Sequence, residues 1–413
     1  MTQPSGFLAA MRRSRVFQTL RERSFRRLTS SQVFSNMSVW MDEVSRGWLL
    51  YELTDSVVQL GLIRGIQMVP MLLLSPLAGS LADRYSRRGQ VVLAQAVLAT
   101  AFAITALLVL THLIQPWHLY VTALVVASAT VFLNPARSAL VSDLVPPQFL
   151  TNAIGINSVT FNMSRLLGPA LAGGIIVLAG TGAAFSVQAL FQLLATAGML
   201  TVASKPVARA ARRESFGRSI IEGWKFSWRS EEVRAALLCT MLASLLIAPF
   251  ISMLPVFARD MLAVGASGQG LMLTAMGVGA LISSASIANA GHLLPRGLMM
   301  LGGSIGYGVA VIAFASSPWF GLSLATMTFA GLCHVNTNGL VQTVVQTYSP
   351  AEMRGRAIAI FNMNQMMNVL GAMLLGLLAA VVGPRWAIAA MAVAGMVAIV
   401  ALFISLPKAR HIR

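Results

Sequence analysis

Residues 79–111 read GSLADRYSRRGQVVLAQAVLATAFAITALLVLT. The first ten hold one carboxylate, Asp83, and three guanidinium groups, Arg84, Arg87 and Arg88, whereas Gln90 to Thr111 hold no charge at all. About 20 apolar residues wound as helix cross about 30 Å of hydrocarbon, so the stretch reads as a charged turn followed by a membrane-spanning helix. The rest of the chain repeats this alternation. Of 413 residues 56% are hydrophobic and 10% charged, against about 45–50% and about 25% in soluble domains. An ordinary soluble enzyme is excluded.

Twelve apolar blocks stand between charged or Pro/Gly breaks, at about 28–52, 57–80, 90–111, 117–140, 152–176, 183–203, 234–257, 268–290, 297–316, 319–341, 357–380 and 385–405. Membrane strands would be about 10 residues long and alternate apolar with polar. These blocks are longer and apolar all round, so the fold class is an all-α membrane protein with twelve transmembrane helices. The net charge of +17 lies between the blocks and sets orientation; no basic domain for nucleic acid is formed. With both termini cytoplasmic, 25 of the 30 Lys and Arg face the cytoplasm and only Arg259 and Arg385 the other side.

The expected domains are a basic cytoplasmic arm at 1–27, a six-helix bundle at 28–203, a cytoplasmic linker at 204–233, a second six-helix bundle at 234–405 and a cytoplasmic tail at 406–413. The arm reads either as an amphipathic helix on the inner leaflet or as a disordered basic tail. A surface helix is expected in the linker, around Ile220 to Trp228. The halves repeat: Pro147, Gly168 and Gly173 align with Pro350, Gly371 and Gly376 at one offset, and Gly61 and Arg87 with Gly270 and Arg296 at a slightly longer one. Two parallel pseudo-symmetric halves form a common transporter plan, with the substrate held between them near the midplane.

A carboxylate and several guanidinium groups at a helix end can form ion pairs made in one state and broken in another. The segment from Gly79 to Arg88 resembles the loop signature of the major facilitator superfamily, with Ser86 where that pattern has a second glycine. The resemblance covers residues 28–405 and implies a gating loop of Gly79, Asp83, Arg84, Arg87 and Arg88. Asp143, at the cytoplasmic end of the fourth span, is the candidate partner for Arg87 or Arg88. The second-half copy keeps Arg296 but has His292 for the aspartate, and no gating role is expected there.

In the fifth span Gly155, Ser164, Gly168, Pro169 and Gly173 resemble the superfamily's antiporter signature, with Ser164 and Ala172 at two of its glycines. Small residues at this spacing let backbones approach closely, and Pro169 kinks the helix. The reading is divided between generic helix packing and export by exchange. The arginine that proton-coupled drug exporters carry inside the fourth span has no counterpart, since Arg137 lies near the cytoplasmic end.

Charges inside spans cost on the order of 3 kcal/mol or more and so are paired or line a wet cavity. Asp42, Glu43 and Arg46 lie in the first span, Arg64 in the second, Arg165 in the fifth and His334 in the tenth. Asp42 can pair with Arg165 at similar depth or with Arg46 one turn on, and Glu43 approaches the depth of Arg64. The network either couples transport to protons or only locks the bundle. His334 is either a hydrogen-bonded core residue or a group titrating near its unperturbed pKa of about 6.5.

SPAE at Ser349 to Glu352 reads as a helix start with Ser349 as cap. The two cysteines, Cys239 and Cys333, lie in apolar segments without metal-ligand spacing, so neither a disulfide framework nor a metal site is expected. No nucleotide loop, HExxH or nucleophile elbow occurs, so no cofactor and no enzymatic activity are expected. Polar groups gather on the tenth and eleventh spans, where Asn336, Asn362 and Gln365, with Asn134 in the fourth, are candidate cavity residues beside a Met-rich apolar surface. The chain looks most like the bacterial drug and siderophore exporter branch. That resemblance implies a monomeric secondary transporter in the cytoplasmic membrane, exporting a lipophilic or amphipathic small molecule by proton antiport. A lipid or lysolipid flippase of the same fold is the alternative, and a non-transporting receptor is disfavoured.

Overall fold

The computed structural model describes Thr19, residues 21–203, 216–290 and 295–412. Most of the basic arm, the start of the linker and His292 lie outside these. The described residues form helices and no strand: α1 Arg23–Thr54, α2 Val57–Arg84, α3 Arg87–Leu110, α4 Pro116–Leu144, α5 Leu150–Leu200, α6 Phe216–Arg229 and α7 Glu231–Leu246. There follow α8 Gly265–Ala290, α9 Arg296–Ser316, α10 Phe320–Tyr348, α11 Ala351–Asn362, α12 Asn364–Val382 and α13 Pro384–Ser405.

Among the described residues nine stretches are long and apolar enough to cross a membrane, one of them the 54 residues Pro147–Leu200. At 1.5 Å per residue that stretch would reach about 80 Å, far more than one bilayer. It breaks at Gly180, whose φ of 82° and ψ of 170° suit only glycine, so α5 holds both the fifth and the sixth expected spans. Helices α1 and α10, of 32 and 29 residues, also have the length to cross. They are less apolar because Asp42, Glu43 and Arg46 lie in one and His334, Asn336 and Asn338 in the other. The helices are consistent with twelve crossings.

Two expected spans are not uniform helix. The seventh continues beyond α7 as a 3-10 segment, Ala248–Met253, and ends in a π turn, Phe257–Met261. Pro249 and Pro255 lack the N–H that a continuous α-helix needs, which breaks the regular ladder. The eleventh is interrupted at Met363, between α11 and α12. The capping reading of SPAE also fails: α11 starts at Ala351 behind Pro350, and Ser349 is buried with no hydrogen-bond partner for its hydroxyl.

The chain packs as two compact units, Met1–Arg46 with Val69–Arg212 and Gly47–Met68 with Arg213–Arg413. The expected division fell in the linker, whereas residues 47–68 group with the second unit. Glycine explains how α2 joins it. A Cβ on Gly61 would lie 2.6 Å from the Ala372 carbonyl oxygen, and one on Gly376 would lie 3.0 Å from that of Val57. Helices α2 and α12 therefore touch backbone to backbone in the second unit.

In the first unit α1 is sewn to the second half of α5 by polar side chains. Ser31, Ser35, Ser38, Asp42 and Ser45 fall on one face at three- and four-residue spacings. Ser31 Oγ donates to the Ala195 carbonyl at 2.8 Å, Ser38 Oγ to that of Gln188 at 3.0 Å, and Gln188 Nε2 to Ser45 Oγ at 3.0 Å. Gln192 Nε2 adds a bond to the Ser35 carbonyl at 3.3 Å. In lipid such interhelical bonds average about 0.6 kcal/mol each, which makes this seam specific more than strong.

Candidate functional site

The charged turn of the first unit is built from helix ends. Ser86 caps α3 by accepting the Gly89 N–H at 3.2 Å, and its φ of −54° is ordinary, so the turn does not need the glycine of the family signature. Arg87 Nη1 lies 2.6 Å from Asp143 Oδ1 on α4, and its Nε donates to the Ala82 carbonyl at 3.3 Å. Arg88 donates to the Leu200 carbonyl and Arg27 to that of Thr201. Cations thus sit on the open carbonyls of two helix C-termini, where the helix dipole favours them. Arg84 is exposed, a Cβ on Gly79 would meet nothing within 4 Å, and the Asp83 side chain lies outside the described residues.

On α5 the residues that resemble the antiporter signature pack unequally. A Cβ on Gly168 would lie 2.7 Å from Trp40 Cβ and 3.3 Å from the Met37 carbonyl oxygen, whereas one on Gly155 would meet nothing. Ser164 is buried and donates to the Thr160 carbonyl at 2.9 Å; Pro169 and Gly173 are buried beside it. Phe161, Arg165 and Gly168 lie on one face, and all three meet Trp40. Phe161 is edge-on to its ring at 5.6 Å, and the Arg165 guanidinium stands 5.4 Å from the ring centre as a cation–π contact.

The buried charges centre on α1. Arg46 Nε lies 2.9 Å from Asp42 Oδ2, with residue exposures of 3% and 7%. Asp42 thus pairs with Arg46 one turn away, and the Arg165 guanidinium lies over Trp40. Arg46 Nη1 donates to Thr122 Oγ1 at 2.9 Å and to the Leu119 carbonyl at 3.2 Å, both on α4, and Nη2 is buried with no hydrogen-bond partner. Such a charge pair in a medium of low polarity is tolerated only with this degree of hydrogen bonding. Glu43 is half-buried in the first unit, and Arg64 is half-buried on the part of α2 that belongs to the second. Arg137 donates to Asn36 Oδ1 at 2.7 Å and to Asn134 Oδ1 at 3.3 Å, so Asn134, though exposed, already serves a cation.

In the second unit one polar patch draws on three helices. Asn338 Nδ2 lies 3.2 Å from His334 Nε2 on α10, Thr240 of α7 donates to Asn338 Oδ1, and Asn364 of α12 reaches both Thr240 and Asn338 at 3.4 Å. The Tyr307 ring stands 5.1 Å from that of His334. The predicted cavity residues fall outside the patch: Asn336 packs toward Gly303 on α9, and Asn362 and Gln365 are exposed. The four-residue spacing of His334 and Asn338 was the available signal, because it puts both on one face, whereas Asn336 lies on another.

A second cluster in this unit escaped sequence reasoning. Arg259, on the π turn, pairs with Asp55 and lies 3.3 Å from Asp260 Oδ1, and Tyr51 Oη donates to Asp260. The Arg259 guanidinium also stands 4.9 Å from the Tyr51 ring centre. Asp55 has a φ of 48°, a conformation that aspartate tolerates better than most residues. In the sequence Arg259 counted only as a charge on the less basic side, and nothing local tied it to residues two hundred positions earlier.

A family model described as transmembrane secretion effector matches residues 14–412. The chain belongs to that family of major facilitator transporters. It is therefore an integral membrane transporter and not an enzyme. It is 25% identical to the staphyloferrin A transporter of Staphylococcus aureus over 86% of this chain and 89% of that protein. To the enterobactin exporter EntS of Escherichia coli K12 it is 24% identical, over 94% and 93%, and to the multidrug efflux pump Tap of Mycolicibacterium fortuitum 24%, over 76% and 78%. Among solved structures, a bacterial homologue of the human lysosomal transporter Spinster superposes with a TM-score of 0.77 at 15% identity, covering 94% of this chain and 98% of the other. That likeness establishes the shared fold.

The packing of α5 makes a direct prediction. Gly168→Ala should destabilise the protein by about 1–3 kcal/mol through overpacking against Trp40. Gly155→Ala, in open space, should be neutral or stabilising by up to about 1 kcal/mol from helix propensity. Thermal unfolding of the two variants in detergent checks this, and equal midpoints would refute it.

Proposed function

We propose that this protein exports a lipophilic or amphipathic small molecule across the bacterial cytoplasmic membrane by alternating access, as a monomer with both termini in the cytoplasm, and that inward proton movement drives export. The observation that carries the coupling is the buried Asp42–Arg46 pair. A carboxylate whose cationic partner moves away in a medium of low polarity is more stable neutral and takes up a proton; when the partner returns, the proton leaves. The names of the relatives support export: two handle siderophores and one is a multidrug pump. The patch at His334, Asn338, Thr240 and Asn364 offers a substrate a few hydrogen bonds amid apolar surface, which suits an amphipathic solute better than a sugar. The Arg87–Asp143 pair is assigned to the cytoplasmic gate.

Proteoliposomes with an imposed pH gradient test this, with a siderophore, a lipophilic cationic dye and a lysolipid as probes. Wild-type protein should concentrate at least one of them. Neutralising the proton carrier, by Asp42→Asn or Glu43→Gln, should abolish accumulation and leave downhill movement intact. If neither variant alters accumulation, the network is structural and the coupling reading fails. Movement of the lysolipid alone would replace efflux by lipid flipping.

A further inference from the structure

Helix α6 has three distinct flanks. One faces the protein: Gly223 and Ser227 are buried, a Cβ on Gly223 would lie 2.9 Å from Arg356 Cβ on α11, and Glu222 pairs with Arg356. The second carries Trp224 and Trp228, one turn apart and stacked at 5.7 Å, yet 41% and 49% exposed. The third carries Lys225 and Arg229, both exposed. The helix ends at Arg229, and α7, the start of a membrane-spanning stretch, begins at Glu231, so α6 sits at the depth where hydrocarbon gives way to headgroups. Exposed indoles are at home at that depth, and basic side chains beyond them face the lipid phosphates.

The cations there have no acidic partner. Among the described residues none of Lys225, Arg229 and Arg234 is paired with a carboxylate. The nearby acids are engaged: Glu222 with Arg356, Glu231 with Lys408 at 3.8 Å, and Glu232 accepting from Ser230 at 3.1 Å. Arg234 donates to the Trp228 carbonyl at 3.2 Å, and its guanidinium stands 5.9 Å from that ring's centre. Beside it runs an apolar slot lined by Trp224, Trp228, Leu237, Leu238, Met241 and Ile360. Three cations without a carboxylate partner beside two exposed tryptophans at the membrane surface complement one kind of molecule, a phosphate ester that carries hydrocarbon chains.

We propose that α6 and the start of α7 form a binding site for an anionic phospholipid, with the phosphate among Lys225, Arg229 and Arg234 and an acyl chain laid along the exposed faces of the two tryptophans. Because α6 is fastened to α11 through Glu222 and Gly223, the bound lipid also braces α11. The site stands apart from the export reading and is tested without transport.

The full-length protein is reconstituted in phosphatidylcholine bilayers containing either brominated phosphatidylglycerol or brominated phosphatidylcholine, and tryptophan fluorescence quenching is compared with that of the Trp224→Phe/Trp228→Phe variant. The quenching lost in that variant should favour the anionic lipid in wild type. Preference should fall roughly fivefold for each cation removed in Lys225→Gln, Arg229→Gln and Arg234→Gln, the worth of one basic side chain at an anionic surface. Lys225 and Arg229 are exposed, so their variants keep the test valid should Arg234→Gln misfold. Equal quenching by the two lipids, or a preference that survives in the Lys225→Gln/Arg229→Gln variant, would overturn the proposal. So would displacement of the lipid by millimolar inorganic phosphate, which would mark a soluble-anion site.

Discussion

Arg46→Met should cost about 3–5 kcal/mol of stability, the usual penalty for breaking a buried charge pair by removing one partner. The substitution keeps most of the side-chain volume but removes the bonds to Asp42, Thr122 and Leu119. It takes one cation away from a carboxylate that is 7% exposed. Removing both charges, as in Asp42→Leu/Arg46→Met, should recover most of the loss, because neither residue then has an ion to desolvate. Unfolding of the single and double variants in detergent, followed by circular dichroism, gives the coupling energy directly. A single variant within about 0.5 kcal/mol of wild type would mean that the pair is solvated and contributes little.

Overpacking the second unit should be as damaging. Helices α8 and α10 touch at two reciprocal glycines: a Cβ on Gly279 would lie 1.8 Å from the Thr328 carbonyl oxygen, and one on Gly331 would lie 1.9 Å from that of Met276. These neighbours are backbone and cannot rotate aside. Gly279→Ala and Gly331→Ala should each cost about 3 kcal/mol or more, at or beyond the upper end of the overpacking range, because α8 must move off α10 to admit a methyl group. Gly302→Ala on α9, where a Cβ meets nothing within 4 Å, is the control and should be neutral or gain up to about 1 kcal/mol. Protein yield and unfolding midpoint distinguish the three. Wild-type behaviour in both contact variants would show that the helices are not in contact.

Several features of the site were legible because they depend on separation along one helix. Asp42 and Arg46 are four residues apart, which allows a pair whatever surrounds them, and the serine stripe of α1 repeats at helical spacing without reference to a partner. Others needed distant chain. The depth argument could give Arg165 no aromatic neighbour, and only the position of Trp40 on the facing helix placed its guanidinium over an aromatic ring. The polar residues of the tenth and eleventh spans were chosen by composition. The hydrogen-bonded patch takes Asn338 and Asn364, not Asn336 and Asn362, because helix rotation about its axis decides which asparagines meet Thr240.

Sequence by itself determined that hydrocarbon is the solvent, that the chain is helical, which stretches are apolar enough to cross, and which superfamily loop it carries. Each of these follows from apolar length, charge placement and short-range spacing, all local quantities. Tertiary structure decided that residues 47–68 pack with the second unit, that Arg259 meets Asp55 and Tyr51, and that α6 leaves its two tryptophans exposed. These depend on how far one helix slides and rotates against another. That choice is set by backbone contact at residues such as Gly61 and Gly223, where a single missing Cβ brings together chain segments that no pattern along the sequence connects.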